Sequence, residues 1–114
     1  MDSFDAHCKF VELTTSSYTF SIPGRVRLNC FFYTRAYPTT STATEVSSLT
    51  FYNGSSASGP VLYKHFDTSA YDPPANPCYT MPGDGLLFDN GLFFSAENDS
   101  HRKFGCVTLI YSGS

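Results

Sequence analysis

Few side chains in this sequence have the types and spacings that catalysis or metal binding requires. The three histidines, His7, His65 and His101, stand on separate segments, and the candidate ligand pair that we consider is Asp5 with His7. A metal site needs several such ligands converging on one ion. No Gly-rich loop precedes a helix, and no strand-to-helix elbow frames a nucleophile. We therefore expect no metal, no cofactor and no enzymatic activity, which leaves a cupin-like metalloenzyme as a poorly supported alternative.

The four cysteines are Cys8, Cys30, Cys78 and Cys106, and no two of them form a C-x-x-C pair. Their wide separation argues against a zinc site. Two interpretations stay open. In a reducing compartment the thiols would be free and buried as small hydrophobic groups, whereas release into an oxidising exterior would allow one or two structural disulfides.

The segment MPGDGLLFDNGLFF, which begins at position 81, concentrates acidic and turn-forming residues. Asp84, Asp89 and Asn90 carry oxygen atoms that a calcium site could use. Turn chemistry accounts for the same residues without a ligand. Gly83 and Gly85 permit positive φ, and Asp89 with Asn90 would form a two-residue hairpin turn between the flanking strands. We expect turns here and not a calcium site.

The composition excludes several classes of partner. The chain has 114 residues, enough for one domain, with 15% charged residues and a net charge of −3. Scattered basic residues give no footprint for nucleic acid, and no apolar run approaches the roughly 18 residues that span a bilayer. We expect neither nucleic acid nor membrane as a partner, no signal peptide, and synthesis in a cytoplasm. The 19 aromatic residues, 11 Phe and 8 Tyr, are available for packing or contact.

Turn-forming clusters divide the chain into short runs rich in Val, Thr, Phe and Tyr. No long window keeps a helical spacing of apolar residues. We expect an all-β fold, an antiparallel β-sandwich or jelly-roll-like barrel of about eight or nine strands with little or no helix. Residues 17–114 would form this single domain, and residues 1–16 an N-terminal segment that serves as an arm for contacts or frays. The predicted strands are 9–14, 17–22, 25–35, 45–52, 60–66, 77–81, 85–88, 91–96 and 103–112.

Alternation assigns the faces of these strands. In strand 25–35 it places Val26, Leu28, Cys30 and Phe32 in the core and Arg25, Arg27, Asn29, Phe31 and Tyr33 outside. Four further pairs are predicted to point inward: Leu49 with Phe51, Leu62 with Phe66, Leu86 with Phe88, and Leu92 with Phe94.

Strand 103–112 is apolar on both faces, as is the end of strand 25–35. Two explanations are open, a central strand covered by loop 36–44 or 67–77, or an interface between subunits. The interface hypothesis assigns contact to these residues: Phe4, Phe10, Arg25, Arg27, Phe31, Tyr33, Val107, Leu109 and Tyr111.

Four blocks in a fixed order carry a resemblance to a known family: PGRVRLNCFFYT, LTFYNGSSASGPVLYKHFDT, YTMPGDGLLFDNGLFFS and VTLIYSG. Together they resemble small β-rich virion proteins of tailed bacteriophages, notably phages of cyanobacteria and marine bacteria. The resemblance covers roughly residues 20–113. It implies a capsid decoration or cement protein, made in the host cytoplasm and located on the outer capsid surface. Such a protein forms homo-oligomers, commonly trimers, and bridges subunits of the major capsid protein.

The alternative is a tail, knob or fibre-associated module that binds glycan on the host surface. Tyr and Phe in the loops YTRAYPTTST and TSAYDPPANPCY would then stack on sugar rings. Jelly-roll domains support both roles, so the fold alone does not choose between them.

Overall fold

A computed structural model describes residues 6–13, 17–35, 47–67, 78–97 and 104–113. These residues form nine β-strands and no helix, which confirms the predicted all-β class. The strands are β1 (Ala6–Glu12), β2 (Ser17–Ile22), β3 (Val26–Arg35), β4 (Ser47–Asn53), β5 (Val61–Asp67), β6 (Cys78–Thr80), β7 (Leu86–Phe88), β8 (Leu92–Glu97) and β9 (Phe104–Gly113).

The strands form two antiparallel sheets that pack as a sandwich. The first sheet has the order β1-β9-β3-β6, with β7 also paired to β3, and the second has the order β2-β8-β4-β5. The pairs are nested along the chain, β1 with β9, β2 with β8, β3 with β6 and β7, and β4 with β5. This nesting is that of an antiparallel ribbon wrapped into a jelly roll.

The first strand belongs to the sandwich. All seven residues of β1 pair with β9, and Val11 and Leu13 are buried in the common core. The predicted boundary at residue 17 is therefore wrong for residues 6–13, which form an edge of the first sheet and not a separate arm. Burial of the two aliphatic side chains fixes β1 against the second sheet.

One extra residue in β3 reverses the direction of its side chains. Leu28 lies opposite Tyr111 of β9, whereas Cys30 lies opposite Ile110, so Asn29 has no partner of its own and forms a β-bulge. Before the bulge the even-numbered residues Val26 and Leu28 point inward, and after it the odd-numbered residues do. Fully buried side chains after the bulge are Phe31 and Tyr33.

The predicted faces of β3 are thus right before Asn29 and wrong after it. Cys30 and Phe32 were expected in the core, but Cys30 is half-buried and 37% of Phe32 is exposed on the outer face. Phe31 and Tyr33 were expected outside, but the bulge turns them into the core. The aromatic cluster looks apolar on both faces because two registers follow one another along one strand.

The turn at 81–85 crosses the bulge. β6 pairs with β3 after Asn29 and β7 pairs with it before Asn29, while the Met81 amide donates to the Asn29 carbonyl at 2.9 Å. Gly85 has a φ of 104°, and a Cβ there would lie 2.7 Å from Asn29 Oδ1 and 2.8 Å from the Leu28 carbonyl oxygen. A larger residue cannot approach β3 this closely, so the Pro-Gly-Asp-Gly turn is fitted to the bulge.

The turn at 89–91 differs from the predicted hairpin. Asp89 and Asn90 do form a turn, and Gly91 has a φ of 99°. However, β7 pairs within the first sheet and β8 within the second. This turn therefore carries the chain between sheets, and the prediction of a hairpin between β7 and β8 is wrong.

The inner faces of the other strands follow the prediction, with one exception. Leu49, Phe51, Phe88, Leu92 and Phe94 are fully buried, and Leu86 packs against them. In β5 the predicted pair is reversed, because 38% of Leu62 and 57% of Phe66 are exposed while Tyr63 and His65 point inward. Ring contacts with Phe31 favour the observed register of β5.

The bulge predicts losses of stability of very different size for substitutions of two adjacent phenylalanines. Phe31→Ala removes a ring from the core and should lower the free energy of unfolding by about 3–5 kcal/mol. Phe32→Ala, the matched control one residue away, should lower it by about 1 kcal/mol or less. Denaturant titration measures both values. A larger loss for Phe32→Ala would contradict the register change at Asn29.

Candidate contact face

The outer face of the first sheet carries two adjacent rows of residues without a charge. Strand register aligns Phe10, Thr108, Phe32 and Cys78 in one row, and Cys8, Ile110, Cys30 and Thr80 in the next. Phe10 and Phe32 are among the most exposed large apolar side chains of the described residues, at 59% and 37%. We call these two rows, together with the rows on either side of them, the thiol face.

The charges of the thiol face lie at its two ends. One end row contains Glu12, Cys106 and Thr34, and the opposite end row contains Ala6, Ser112, Arg27 and Leu87. All four cysteines therefore project from the same face of one sheet. With strands about 4.8 Å apart, the face measures about 15 Å across the strands and about 20 Å along them. An uncharged centre with charges at its ends is the anatomy of a protein contact surface.

The outer face of the second sheet has a different chemistry. There the register aligns Thr19, Ser95, Thr50 and Lys64 in one row. Its exposed large apolar residues, Val61, Leu62 and Phe66, lie on the edge strand β5, where Lys64 sits 5.1 Å from the Phe66 ring centre. The row through the middle of this face contains hydroxyl groups and a lysine, and the half-buried Tyr52 and Phe93 pair in the adjacent row, so the two sides of the sandwich differ in chemistry.

The predicted contact residues separate into two groups. Phe10 and Arg27 lie on the thiol face, and Arg25 is exposed at the turn before β3. Tyr111 is half-buried on the inner side and stacks on His7, with ring centres 5.3 Å apart. Assignment of these residues to an interface stays a prediction, and Phe4 lies outside the described residues.

The predicted contact role is wrong for four residues, because their side chains belong to the core. At most 2% of each of these side chains is exposed: Phe31, Tyr33, Val107 and Leu109. The bulge accounts for the first two. Val107 and Leu109 lie on the inner face of a central strand, between β1 and β3, so they cannot meet another molecule while the sandwich is folded.

Sequence reasoning finds Phe10 and Arg27 of the thiol face but misses most of its other residues. It assigns Phe32 and Cys30 to the core, and it leaves open whether any of the four cysteines pair. Two features of the sequence could have revealed them. One is the continuous apolar run after position 29, and the other is Asn29 itself, because asparagine is unfavourable inside a regular strand. Two alternating patterns in one strand indicate a bulge between them.

All four cysteines are free thiols. Cys8 and Cys78 are exposed, whereas Cys30 and Cys106 are half-buried. Burial is the main cause that raises the pKa of the Cys30 thiol, and the neighbouring Cys78 raises it further by repulsion between the charged forms and by a hydrogen bond between the side chains. Cys30 therefore keeps its proton to higher pH than an ordinary cysteine.

The only imidazole with a described core contact is His65, and its neighbours are aromatic. Its Nε2 atom lies 2.8 Å from the Tyr33 hydroxyl, and its ring centre lies 4.5 Å from that of Tyr79. The hydrogen bond satisfies a buried polar group, while the rings fill the space between β5 and β6. This arrangement packs one side of the sandwich, and among the described residues His65 belongs to no group of three or more His, Cys, Asp or Glu residues that could hold a metal ion.

Hydrogen bonds to Asn53 hold the turn at Asp89 and Asn90. Asn53 donates from Nδ2 to Asp89 Oδ1 at 2.8 Å and accepts the Asn90 amide at its own Oδ1 at 3.0 Å. Asp84 is exposed in the other turn. Within the described ranges, no group of three or more His, Cys, Asp or Glu residues could hold a metal ion.

Comparisons with known proteins add no assignment. No protein-family model matches the chain, and no curated protein matches its sequence significantly. Among the described residues, none lies in a helix long and apolar enough to cross a membrane. The loops proposed for glycan stacking, 33–42 and 68–79, and for covering β3 and β9, 36–44 and 67–77, lie mostly outside the described residues. Of their described tyrosines, Tyr33 is buried in the core, where it cannot stack on a sugar ring, and Tyr79 packs against that core.

The four thiols should differ in reactivity in the folded protein. A short iodoacetamide pulse near neutral pH should label the exposed Cys8 and Cys78 before Cys30 and Cys106, as mass spectrometry of the tryptic peptides would show. Labelling of Cys30 should accelerate at alkaline pH, because its raised pKa keeps the thiol protonated to higher pH than an ordinary cysteine. In urea, which unfolds the protein, the four cysteines should be labelled at similar rates. Equal labelling of all four in the native protein would contradict this placement.

The raised pKa of Tyr63 predicts that the folded protein loses stability at alkaline pH. Burial, followed by the charge of Tyr79, raises the pKa of Tyr63 in the folded chain above that of an ordinary tyrosine. A proton held more tightly in the folded state stabilises it below the unfolded pKa, and this contribution disappears as the pH rises through the folded pKa. Between pH 9 and 11, the free energy of unfolding should therefore fall less steeply in Tyr63→Phe than in the unmodified protein. Parallel curves in denaturant titrations would refute the effect.

Proposed function

We propose that this protein is a structural component of a phage virion, a capsid decoration protein that binds by contact and not by catalysis. The observation that carries the proposal is the thiol face, where Phe10 and Phe32 are exposed on a face whose two central rows have no charge. Aromatic side chains in an uncharged centre are the typical anchors of protein interfaces.

The size of the face suits a repeated contact. The face, about 15 by 20 Å, has an area of about 300 Å². This is smaller than the roughly 800 Å² that each partner buries in a standard stable interface. A capsid presents the same binding surface many times, and a decoration protein that also associates with its own copies gains affinity through several simultaneous contacts. Moderate affinity at each thiol face is therefore sufficient.

The resemblance supplies the identity of the partner in this proposal, the major capsid protein. The same resemblance implies that the protein lies on the outer surface of the capsid and that it forms a trimer. The jelly-roll fold is compatible, since viral capsid domains use it, but lectins and cupins use it too. Support for contact over sugar binding therefore comes from the thiol face and not from the topology.

Replacement of both exposed phenylalanines tests the proposal. Phe10→Ser with Phe32→Ser should weaken binding to heads of the encoding phage by about 30-fold or more, because two anchors of about 1 kcal/mol each or more are lost. Cosedimentation with heads purified without this protein measures the affinity. Both residues are substantially exposed, so denaturant titration should show a small change in stability.

The second sheet offers a closely matched control. Leu62→Ser with Phe66→Ser removes side chains that are 38% and 57% exposed, against 37% and 59% for Phe32 and Phe10. This variant should bind heads as the unmodified protein does. Equal binding by both double variants would exclude the thiol face as the contact, and a failure of the unmodified protein to bind heads at all would overturn the decoration role.

A further inference from the structure

Two of the four thiols on the thiol face are close neighbours. Cys30 lies opposite Thr80 and Phe32 lies opposite Cys78, so the two cysteines occupy diagonal positions on β3 and β6 and project from the same side of the sheet. Cys78 is close enough to Cys30 to raise the pKa of its thiol. Cys8 and Cys106, by contrast, lie on β1 and β9, toward the other edge of the sheet.

We propose that Cys30 and Cys78 form a reversible redox site, in which a small-molecule disulfide converts the two thiols into an intramolecular disulfide bond. The exposed Cys78 thiolate attacks one sulfur of the oxidant, forming a mixed disulfide and releasing one thiolate. Cys30 then loses its proton and attacks the Cys78 sulfur, which releases the second thiolate. Two protein thiols are oxidised, one small disulfide is reduced to two thiols, and no other reactant is needed.

The position of the pair determines how easily the bond would form and break. Diagonal residues on neighbouring strands lie about 7–8 Å apart, beyond the upper limit of about 6.8 Å between the Cα atoms of a disulfide. Cys78 must therefore move slightly toward Cys30. It is the first residue of β6, a three-residue strand at the edge of the sheet, so the movement disturbs few backbone hydrogen bonds. Some strain remains, which makes the bond readily reducible.

The bond would close a long segment of the chain. Between the two cysteines lie β4 and β5, which form one side of the second sheet. Cross-linking across such a long loop removes conformational freedom from the unfolded chain. Oxidation after exit from a reducing compartment would therefore stabilise the sandwich without any change in its topology. This consequence does not depend on the proposed capsid contact.

Oxidised glutathione is a suitable probe for the pair. Incubation of the dilute folded protein should lower the number of free thiols from four to two, and dithiothreitol should restore all four. Trypsin places each cysteine in a different peptide, so mass spectrometry identifies the partners directly. The expected product links peptide 28–35 to peptide 65–102. The rate should rise with pH, since burial and Cys78 raise the pKa of Cys30.

Two single substitutions separate this pair from random oxidation. Cys78→Ser should abolish the intramolecular bond, whereas Cys8→Ser, which removes an exposed cysteine from the opposite edge of the same face, should leave its formation unchanged. Four thiols that persist under oxidant, a bond that involves Cys8 or Cys106 instead, or covalent dimers as the main product on a non-reducing gel would each overturn the proposal.

Discussion

The β-bulge at Asn29 is the constraint on which the rest of the first sheet depends. One unpaired residue divides β3 into two halves whose side chains alternate in opposite senses, so that Val26 and Leu28 fill the core before it and other rings fill the core after it. The two short strands β6 and β7 each pair with one half. Gly85 in the turn between them approaches Asn29 closely enough to exclude a side chain. Bulge, turn and strand pairing are thus one structural unit.

The bulge also decides how the aromatic residues are divided between packing and contact. Phe31 joins Phe51 and Phe94 in a chain of ring contacts about 5 Å apart that connects the two sheets. Most of the aromatic excess in the described part of the chain is used in this way, inside the protein. Phe10 and Phe32 remain on the thiol face, in a row with Thr108 between them. A contact role therefore rests on few rings, placed where no charge surrounds them.

Much of the fold can be predicted from the sequence, because turn-forming residues mark the end of nearly every strand. All nine strands were predicted, and β4 and β8 alternate regularly enough to reveal their buried faces. The site could not be predicted in the same way. In β3 a local insertion changes the phase of the pattern, and in β5 both phases are apolar, so only contacts with Phe31 select one. Alternation along one strand carries no information about a partner strand that shifts register.

The same register places the proposed redox pair at the edge of the proposed contact surface. Cys78 shares a row with Phe10 and Phe32, and Cys30 lies in the adjacent row. A bond between the two cysteines would draw β6 toward β3 and fix the edge of the thiol face, while removing two polar thiol protons from it. Oxidation and contact are therefore coupled by position, although neither requires the other. Because the pair exists only when β3 is bulged at Asn29, an unbulged strand would bury Cys30 and lose both properties together.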